Sequence, residues 1–266
     1  MSKKIVVLIT GQLRYFNELN YKVLKNSLKE YDLCFYIVCW KNENEDIKKK
    51  FLKIYNPIKL IEIEDKCFLE EVKKIKIPDT AVKSENIFKM WHSFLRGCEF
   101  LKKEKFDISP DFILRYRSDL LPSNNQKIDI GLCGENQILI PDMYHWNGVN
   151  DQFFIFRFSK IDKIITFSNF ITEYLNKKLL FSSELIFQRF LKKLNIDINY
   201  INFSYRIMKK NNNLKNTPTK KNIQNKIPFR EKFFISINKL KFKLRNFKEF
   251  YITKKKRNKY QDITVK

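Results

Sequence analysis

The sequence predicts an α/β protein built on a mixed, mostly parallel sheet flanked by helices and followed by a basic amphipathic helical extension. Three observations lead there. From residue 4 to about residue 158, short β-branched runs alternate with segments of helical period, the order that yields parallel strands joined by crossover helices. The first run, Ile5-Val6-Val7-Leu8-Ile9, is apolar throughout, as strands covered on both faces are. Charge divides the 266 residues unevenly: residues 209–266 carry 19 Lys and Arg against Glu231, Glu249 and Asp262, a net +16 out of +24.

Lys3-Lys4 before the first run and Thr10-Gly11 after it set the bounds of strand one. Tyr21, Val23, Leu24, Leu28 and Tyr31 then recur at helical spacing, so 20–31 reads as a helix and 33–40 as a second buried strand. Such a unit pairs its strands in parallel through a right-handed crossover. A short helix over 46–55 and a partly alternating strand over 58–63 follow. In 85–102 the residues Ile87, Phe88, Trp91, Phe94, Leu95, Cys98 and Leu101 lie on one stripe, the mark of a core-facing helix. It feeds a strand over 111–116 that ends at Arg117-Ser118-Asp119. Strands over 137–140 and 152–158, helices over 160–175 and 183–194, and a strand over 199–205 complete a domain spanning 1–208. The Asn-rich stretch 209–229, with Pro218 and Pro228, reads as a polar linker to a basic segment, 230–266.

Composition excludes several classes. Hydrophobic residues make up 44% and aromatics 15%, with 25 Phe, too apolar for wholesale disorder. No run approaches the roughly 18 apolar residues needed to cross a bilayer, and the apolar stretch 5–10 is too short for a signal-peptide core. The chain therefore reads as cytoplasmic, neither secreted nor membrane-spanning. Cys34, Cys39, Cys67, Cys98 and Cys133 are scattered without a C-x-x-C pair, which fits reduced, buried thiols and not a zinc cage.

Ligands of open α/β sheets bind at the carboxyl ends of the strands. Gly11, Gln12 and Arg14 follow strand one, where glycine permits close backbone approach and Arg14 can contact a base or phosphate. This turn lacks the further glycines of a dinucleotide fingerprint and the Gly-Lys-Ser/Thr of a triphosphate loop, so an ordinary strand-to-helix turn stands beside that reading. Alternation puts Arg115, Arg117 and Asp119 on one side of the central strand. The arginines suit a diphosphate, and Asp119 suits a divalent cation, Mn2+ or Mg2+, bridging two phosphate oxygens; the plain alternative is an ion pair. Asp151, in the polar turn 147–152, sits where an acceptor hydroxyl could be held, or in a simple surface turn. Ser182-Ser183-Glu184 reads first as a helix start, with Ser as N-cap and Glu184 favoured by the helix dipole. His145 and Trp146 precede the 147–152 turn, where Trp could stack on a sugar.

The order Ile9-Thr-Gly-Gln-Leu-Arg14, Trp40 closing strand two, Asn86-Ile-Phe-Lys-Met-Trp91 and Ile113-Leu-Arg-Tyr-Arg-Ser-Asp119-Leu resembles bacterial lipopolysaccharide- and capsule-type glycosyltransferases, among them the WavE-like group. The resemblance spans roughly residues 4–205. It implies a GT-A-like, Rossmann-like domain that moves a sugar from a nucleoside-diphosphate donor to a lipopolysaccharide, capsule or lipid-linked glycan acceptor. Arg117-Ser118-Asp119 stands where such proteins usually carry Asp-x-Asp for metal and diphosphate. One carboxylate is present instead of two, so guanidinium groups could stabilise the leaving diphosphate in part. The resemblance makes Asp151 or Glu184 the group that orients or deprotonates the acceptor.

In the tail, Phe233, Ile237, Leu240, Leu244, Phe247 and Tyr251 recur at spacings of 4, 3, 4, 3 and 4, with Lys239, Lys241, Lys243, Arg245 and Lys248 largely off the stripe. That is the pattern of an in-plane interfacial helix, to which anionic headgroups contribute up to about 1 kcal/mol per basic residue. It points to a peripheral protein on the inner face of the cytoplasmic membrane. A helix packed on its own domain is the bland alternative. Nucleic-acid binding is the rival class, disfavoured because the cations lie opposite an apolar stripe without interleaved stacking aromatics. A sugar-phosphate or alkylphosphate transferase of related α/β layout is a third.

Overall fold

Five buried residues of the first strand, Ile5 to Ile9, have no solvent exposure, and the sheet grows outward from them. In the computed structural model, residues 2–64, 84–107, 109–123, 126–144, 148–176 and 182–208 are described. The chain divides into two units, Met1–Asn211 and Asn212–Lys266, and every described residue belongs to the first. The expected linker 209–229 and basic segment 230–266 lie outside the described residues, as do Cys67, His145 and Trp146.

The elements run β1 (Lys4–Thr10), α1 (Glu18–Ser27), β2 (Asp32–Trp40), α2 (Glu45–Tyr55), β3 (Lys59–Ile63), α3 (Ser84–Lys103), β4 (Phe112–Tyr116), β5 (Leu120–Pro122), β6 (Gln137–Pro141), β7 (Phe153–Arg157), α4 (Ile161–Ile165), α5 (Phe167–Asn176), α6 (Ser183–Lys193), β8 (Asp197–Ile201) and β9 (Tyr205–Ile207). Seven strands form one sheet in the order β3-β2-β1-β4-β7-β6-β8. Only β7 runs against its neighbours; the other pairings are parallel. The expected mixed, mostly parallel sheet flanked by helices is therefore what forms.

Alternation along β1 sorts its side chains into two cores. Ile5, Val7 and Ile9 meet Leu24 of α1, Leu28 just past its end, and Phe51 and Tyr55 of α2. Val6 and Leu8 meet Trp91, Phe94 and Leu95 of α3 and, beyond them, Phe167, Phe187 and Phe190 of α5 and α6. Many of the Phe gather here: Phe167 lies 4.5 Å from both Trp91 and Phe190, ring centre to ring centre. Side-chain caps start the helices on the opposite face, with Asn17 Oδ1 accepting from the Asn20 N–H at 3.0 Å and Asn44 Oδ1 from Asp46 and Ile47.

Two expectations need correcting and one element was not expected. The helix expected over 160–175 breaks into α4 and α5 at Thr166, whose Oγ1 donates to the Lys163 carbonyl at 2.7 Å and competes with the backbone ladder. The strand expected over 199–205 is two strands, β8 and β9, separated by a turn in which the Ser204 N–H donates to Gln126 Oε1 at 2.7 Å. The unexpected element, β5, has no counterpart in the sequence reading; it pairs antiparallel with β9 as a short ribbon standing off the main sheet.

Candidate functional site

The carboxyl ends of β1, β2, β4, β6 and β8 share one edge, and the reversed β7 brings its start, Asp151 and Gln152, to the same edge. Gly11 leaves β1 with φ +103°, a left-handed conformation that only glycine adopts freely. A Cβ there would meet nothing within 4 Å, so the dihedral and not crowding selects glycine. Two buried polar residues then hold the Gln12–Arg14 loop and the start of α1 to the turn after β4. Ser118 Oγ donates to the Gln12 carbonyl at 2.9 Å, and Asn20 Nδ2 donates to the Leu120 carbonyl at 2.9 Å.

This staple brings opposite charges together. Arg117 grips Asp119 with both ends of its guanidinium, Nε to Oδ1 at 3.0 Å and Nη2 to Oδ2 at 2.6 Å. Arg14 Nε approaches the same carboxylate at 3.7 Å while its side chain stays 47% exposed. Burial alone would lower the Arg117 guanidinium, but Asp119 and, more remotely, Asp151 raise it above the usual arginine value. Half-buried Glu43 lies against the same loop: burial pushes its carboxyl up, opposed by the Leu13 N–H, Lys48 and Arg14.

The second half of the site is a clamp between the 148–152 turn and the start of α6. The Val149 N–H donates to the Glu184 carbonyl at 3.1 Å. Gly148 lies so close that a Cβ would fall 2.1 Å from the Glu184 carbonyl carbon. Across the clamp Ser183 Oγ donates to buried Asp151 and accepts from Trp91 Nε1 at 2.8 Å. Ser182 occupies the expected N-cap position, but its hydroxyl donates to Glu184 Oε2 at 2.8 Å instead of capping the backbone. Burial first, and the Asp151 charge second, raise the Glu184 carboxyl above the ordinary glutamate value. Asn150 is fully buried, exchanging hydrogen bonds with the Tyr205 hydroxyl, which also donates to Gln152 Oε1 at 3.2 Å.

The site is thus a row of alternating charge: Arg14, Asp119, Arg117, then the Asp151–Glu184 pair. A cleft of about 830 Å³ opens beside Arg14 between α1 and α2, with Tyr15, Phe16, Lys22, Lys50 and Lys53 among its walls. At the far end of the edge a cavity of about 360 Å³ is bounded by the exits of β6 and β8.

No family model matches the chain, and no curated protein matches it. Among solved structures it is similar to the galactosyltransferase LgtC, in complex with donor and acceptor sugar analogues, at 12% identity over 69% of each chain with a TM-score of 0.44. It is also similar to mouse xyloside xylosyltransferase 1 at 11% identity over 76% of this chain and 85% of that one, TM-score 0.45. A third is the glycosyltransferase GlyE of Streptococcus pneumoniae TIGR4, at 14% identity over 73% of this chain and 44% of that one, TM-score 0.40. A likeness below a TM-score of 0.5 assigns this chain neither fold family nor reaction.

Of the residues singled out in the sequence, Gly11, Gln12, Arg14, Arg117 and Asp119 come together at one end of the row and Asp151 and Glu184 at the other. Arg115 does not join them at the surface. The strand ends at Tyr116, so alternation does not carry on to Arg117, and Arg115 lies fully buried with its guanidinium 4.3 Å from the Trp91 ring centre and 5.1 Å from that of Phe94. Among the described residues none of its three nitrogens has a hydrogen-bond partner; burial lowers the guanidinium to about 10, with Asp151 the chief charge opposing. Ser118, Ser183 and Asn150 lay inside motifs singled out in the sequence without a role of their own, and Asn20 was not singled out, since small polar residues show no periodic signal and their value comes from partners distant in the chain.

The donor set around Asp119 does not fit a divalent cation as arranged. Both carboxylate oxygens are engaged by Arg117, Arg14 adds a second positive charge, and no cluster of three His, Cys, Asp or Glu stands among the described residues.

Proposed function

We propose that the protein transfers a sugar from a nucleoside-diphosphate donor to a lipopolysaccharide, capsule or lipid-linked glycan acceptor, working at the inner face of the cytoplasmic membrane. The observation that carries this reading is the alternating row of charge along the carboxyl edge. Arg14 and Arg117 present fixed donors to a diphosphate, the geometry guanidinium groups match best. Asp119 holds both guanidinium groups in place, and as bond cleavage builds charge on the leaving diphosphate they stabilise it without reorganising. The cleft beside Arg14 receives the nucleoside, its aromatic walls facing the base and its lysines the phosphates.

At the other end, Asp151 or Glu184 orients the acceptor hydroxyl and takes its proton. Two carboxylates crowded together do not ionise alike, which separates an ionised member from one that keeps its proton to higher pH. The basic segment 230–266 adds surface attraction: no helix among the described residues is long and apolar enough to cross a membrane, and a net +16 tail draws the protein to anionic lipid.

Thermal unfolding in the presence of nucleoside mono- and diphosphates and nucleotide sugars, with and without Mg2+ or Mn2+, tests the donor half, because a ligand of the native state raises its stability. A nucleoside diphosphate should raise the midpoint in the wild type and not in Arg117→Ala. Equal shifts in both proteins would remove Arg117 and Asp119 from the donor site.

A further inference from the structure

Stability does not account for Arg115. Its guanidinium is fully buried, 4.3, 5.1 and 5.5 Å from the ring centres of Trp91, Phe94 and Phe154, and among the described residues it finds no acceptor. Burial lowers the group more than Asp151 raises it, yet at about 10 it stays a cation at neutral pH. An apolar side chain would fill that space without a charge to desolvate. What the position does supply is a fixed positive charge behind the Asp151–Glu184 end of the row.

The contacts lead from that charge to one carboxylate. Arg115 pairs with Phe154 of β7, the strand that Asp151 and Gln152 lead into. Trp91, whose ring lies nearest to the guanidinium, donates from Nε1 to Ser183 Oγ at 2.8 Å. An indole nitrogen only donates, so the Ser183 oxygen accepts there and its single proton goes to Asp151, an order that suits an ionised Asp151. Asp151 is 3% exposed, whereas Glu184 on the other side of the clamp is half-buried and reachable from solvent.

Few other charges face the pair. Arg117, from the turn after β4, commits both ends of its guanidinium to Asp119. Burial pushes the Tyr205 hydroxyl of β9 and the Cys98 thiol of α3 well above their usual values, so both stay neutral. His145, ahead of the 148–152 turn, lies outside the described residues. Among the described residues, Arg115 is therefore the cation beside the pair that no other carboxylate already holds.

We propose that Arg115 is a positioning residue that divides the work of the two carboxylates: it holds Asp151 as a permanent anion, and Glu184 is the group that takes the proton of the acceptor hydroxyl. This deepens the transfer reading above and rests on it for the reaction, though not for the charge states. As the acceptor O–H bond breaks, its proton passes to a Glu184 carboxylate oxygen. The hydroxyl oxygen forms the bond to the sugar carbon, and the electron pair of the broken carbon–oxygen bond leaves with the diphosphate. An anion fixed at Asp151 makes Glu184 a stronger base than a solitary glutamate, which brings proton transfer closer to neutral pH.

Carboxyl titration by carbon NMR on the full-length protein reads the charge states with neither donor nor acceptor present. Asp151→Asn and Glu184→Gln assign the two signals. In the wild type most of the Asp151 change should fall in the lower step and most of the Glu184 change in the upper one, since the steps of a coupled pair are shared. Arg115→Met removes a positive charge, so both steps should move to higher pH, that of Asp151 by about one unit. Turnover of a nucleotide sugar should follow, its acid limb moving to higher pH in Arg115→Met, which a packing role alone would not produce. The proposal is overturned if the lower step belongs to Glu184 in the wild type, a result that needs no Arg115 variant to fold, or if the Asp151 step is unmoved in Arg115→Met. Failure of a nucleoside diphosphate to bind the wild type would instead count against the transfer reading, while the titration still decides the role of Arg115.

Discussion

Asp119 is held by two guanidinium groups, and in the proposed reading its charge sets their position before a donor binds. Asp119→Asn keeps size and removes that charge; turnover should fall by at least about tenfold, near 1.4 kcal/mol of barrier, and unchanged turnover in a folded variant would dismiss the residue. Arg115 offers a different test. A buried charge without hydrogen-bond acceptors is expensive, and replacement by an apolar residue of similar length is often neutral or stabilising. Arg115→Met should leave the unfolding midpoint unchanged or raised, and a fall beyond about 4 °C, near 1 kcal/mol for a domain of this size, would make the cation–aromatic stack a net support. Glu184 gives the pH dependence. Its folded carboxyl is raised above the unfolded value, so the native state is favoured at low pH and loses that advantage as pH rises through the folded value. Glu184→Gln should flatten stability across that window. If Glu184 is also the base, activity declines as pH falls through the same value, and Asp151→Asn moves that limb to lower pH; an unmoved limb assigns the proton to another group. Little of this was readable from spacing. Arg117 and Asp119 announced themselves as a charged pair after an apolar strand, whereas Arg115 looked equivalent to Arg117 because alternation was carried one turn too far.

Elements carry the longer-range coupling. Gly148 presses on the first turn of α6, so Gly148→Ala must push the 148–152 turn away from Glu184. Overpacking of that kind costs roughly 1–3 kcal/mol, and chemical denaturation should show it together with lost activity that higher donor concentration does not restore. A variant as stable and active as wild type would mean the clamp opens freely. The larger elements were legible because their periodicity is strong: β1, β2, α2 and α3 each begin and end within one residue of their expected bounds. The ribbon of β5 and β9 was not, for strands of three residues contain no repeat to detect. The break at Thr166 was equally hidden, resting on one hydroxyl that could as well have faced solvent in an unbroken helix.

For the whole molecule, the division of the chain near residue 211 and the change of composition at residue 209 make truncation informative. A chain ending at Met208 keeps β9 and should fold and bind nucleoside diphosphate, yet lose binding to anionic vesicles. Unfolding of the truncated chain would mean that residues beyond 208 contribute core. Ending the chain at Ser204 instead removes β9 and the Tyr205 hydroxyl that Asn150 and Gln152 share, and should destroy both donor binding and the cooperative melt.

The ribbon has a practical side. The Met208 N–H donates to the Asp119 carbonyl at 2.8 Å, so the backbone departs from the described residues beside the Arg117–Asp119 pair. The amino terminus enters at Lys4, the opposite end of β1 from Gly11. A purification handle or fluorescent fusion attached directly after Met208 would begin beside Asp119 and crowd the charged row, while the same cargo before Lys4 would hang from the opposite end of β1 and leave the row clear.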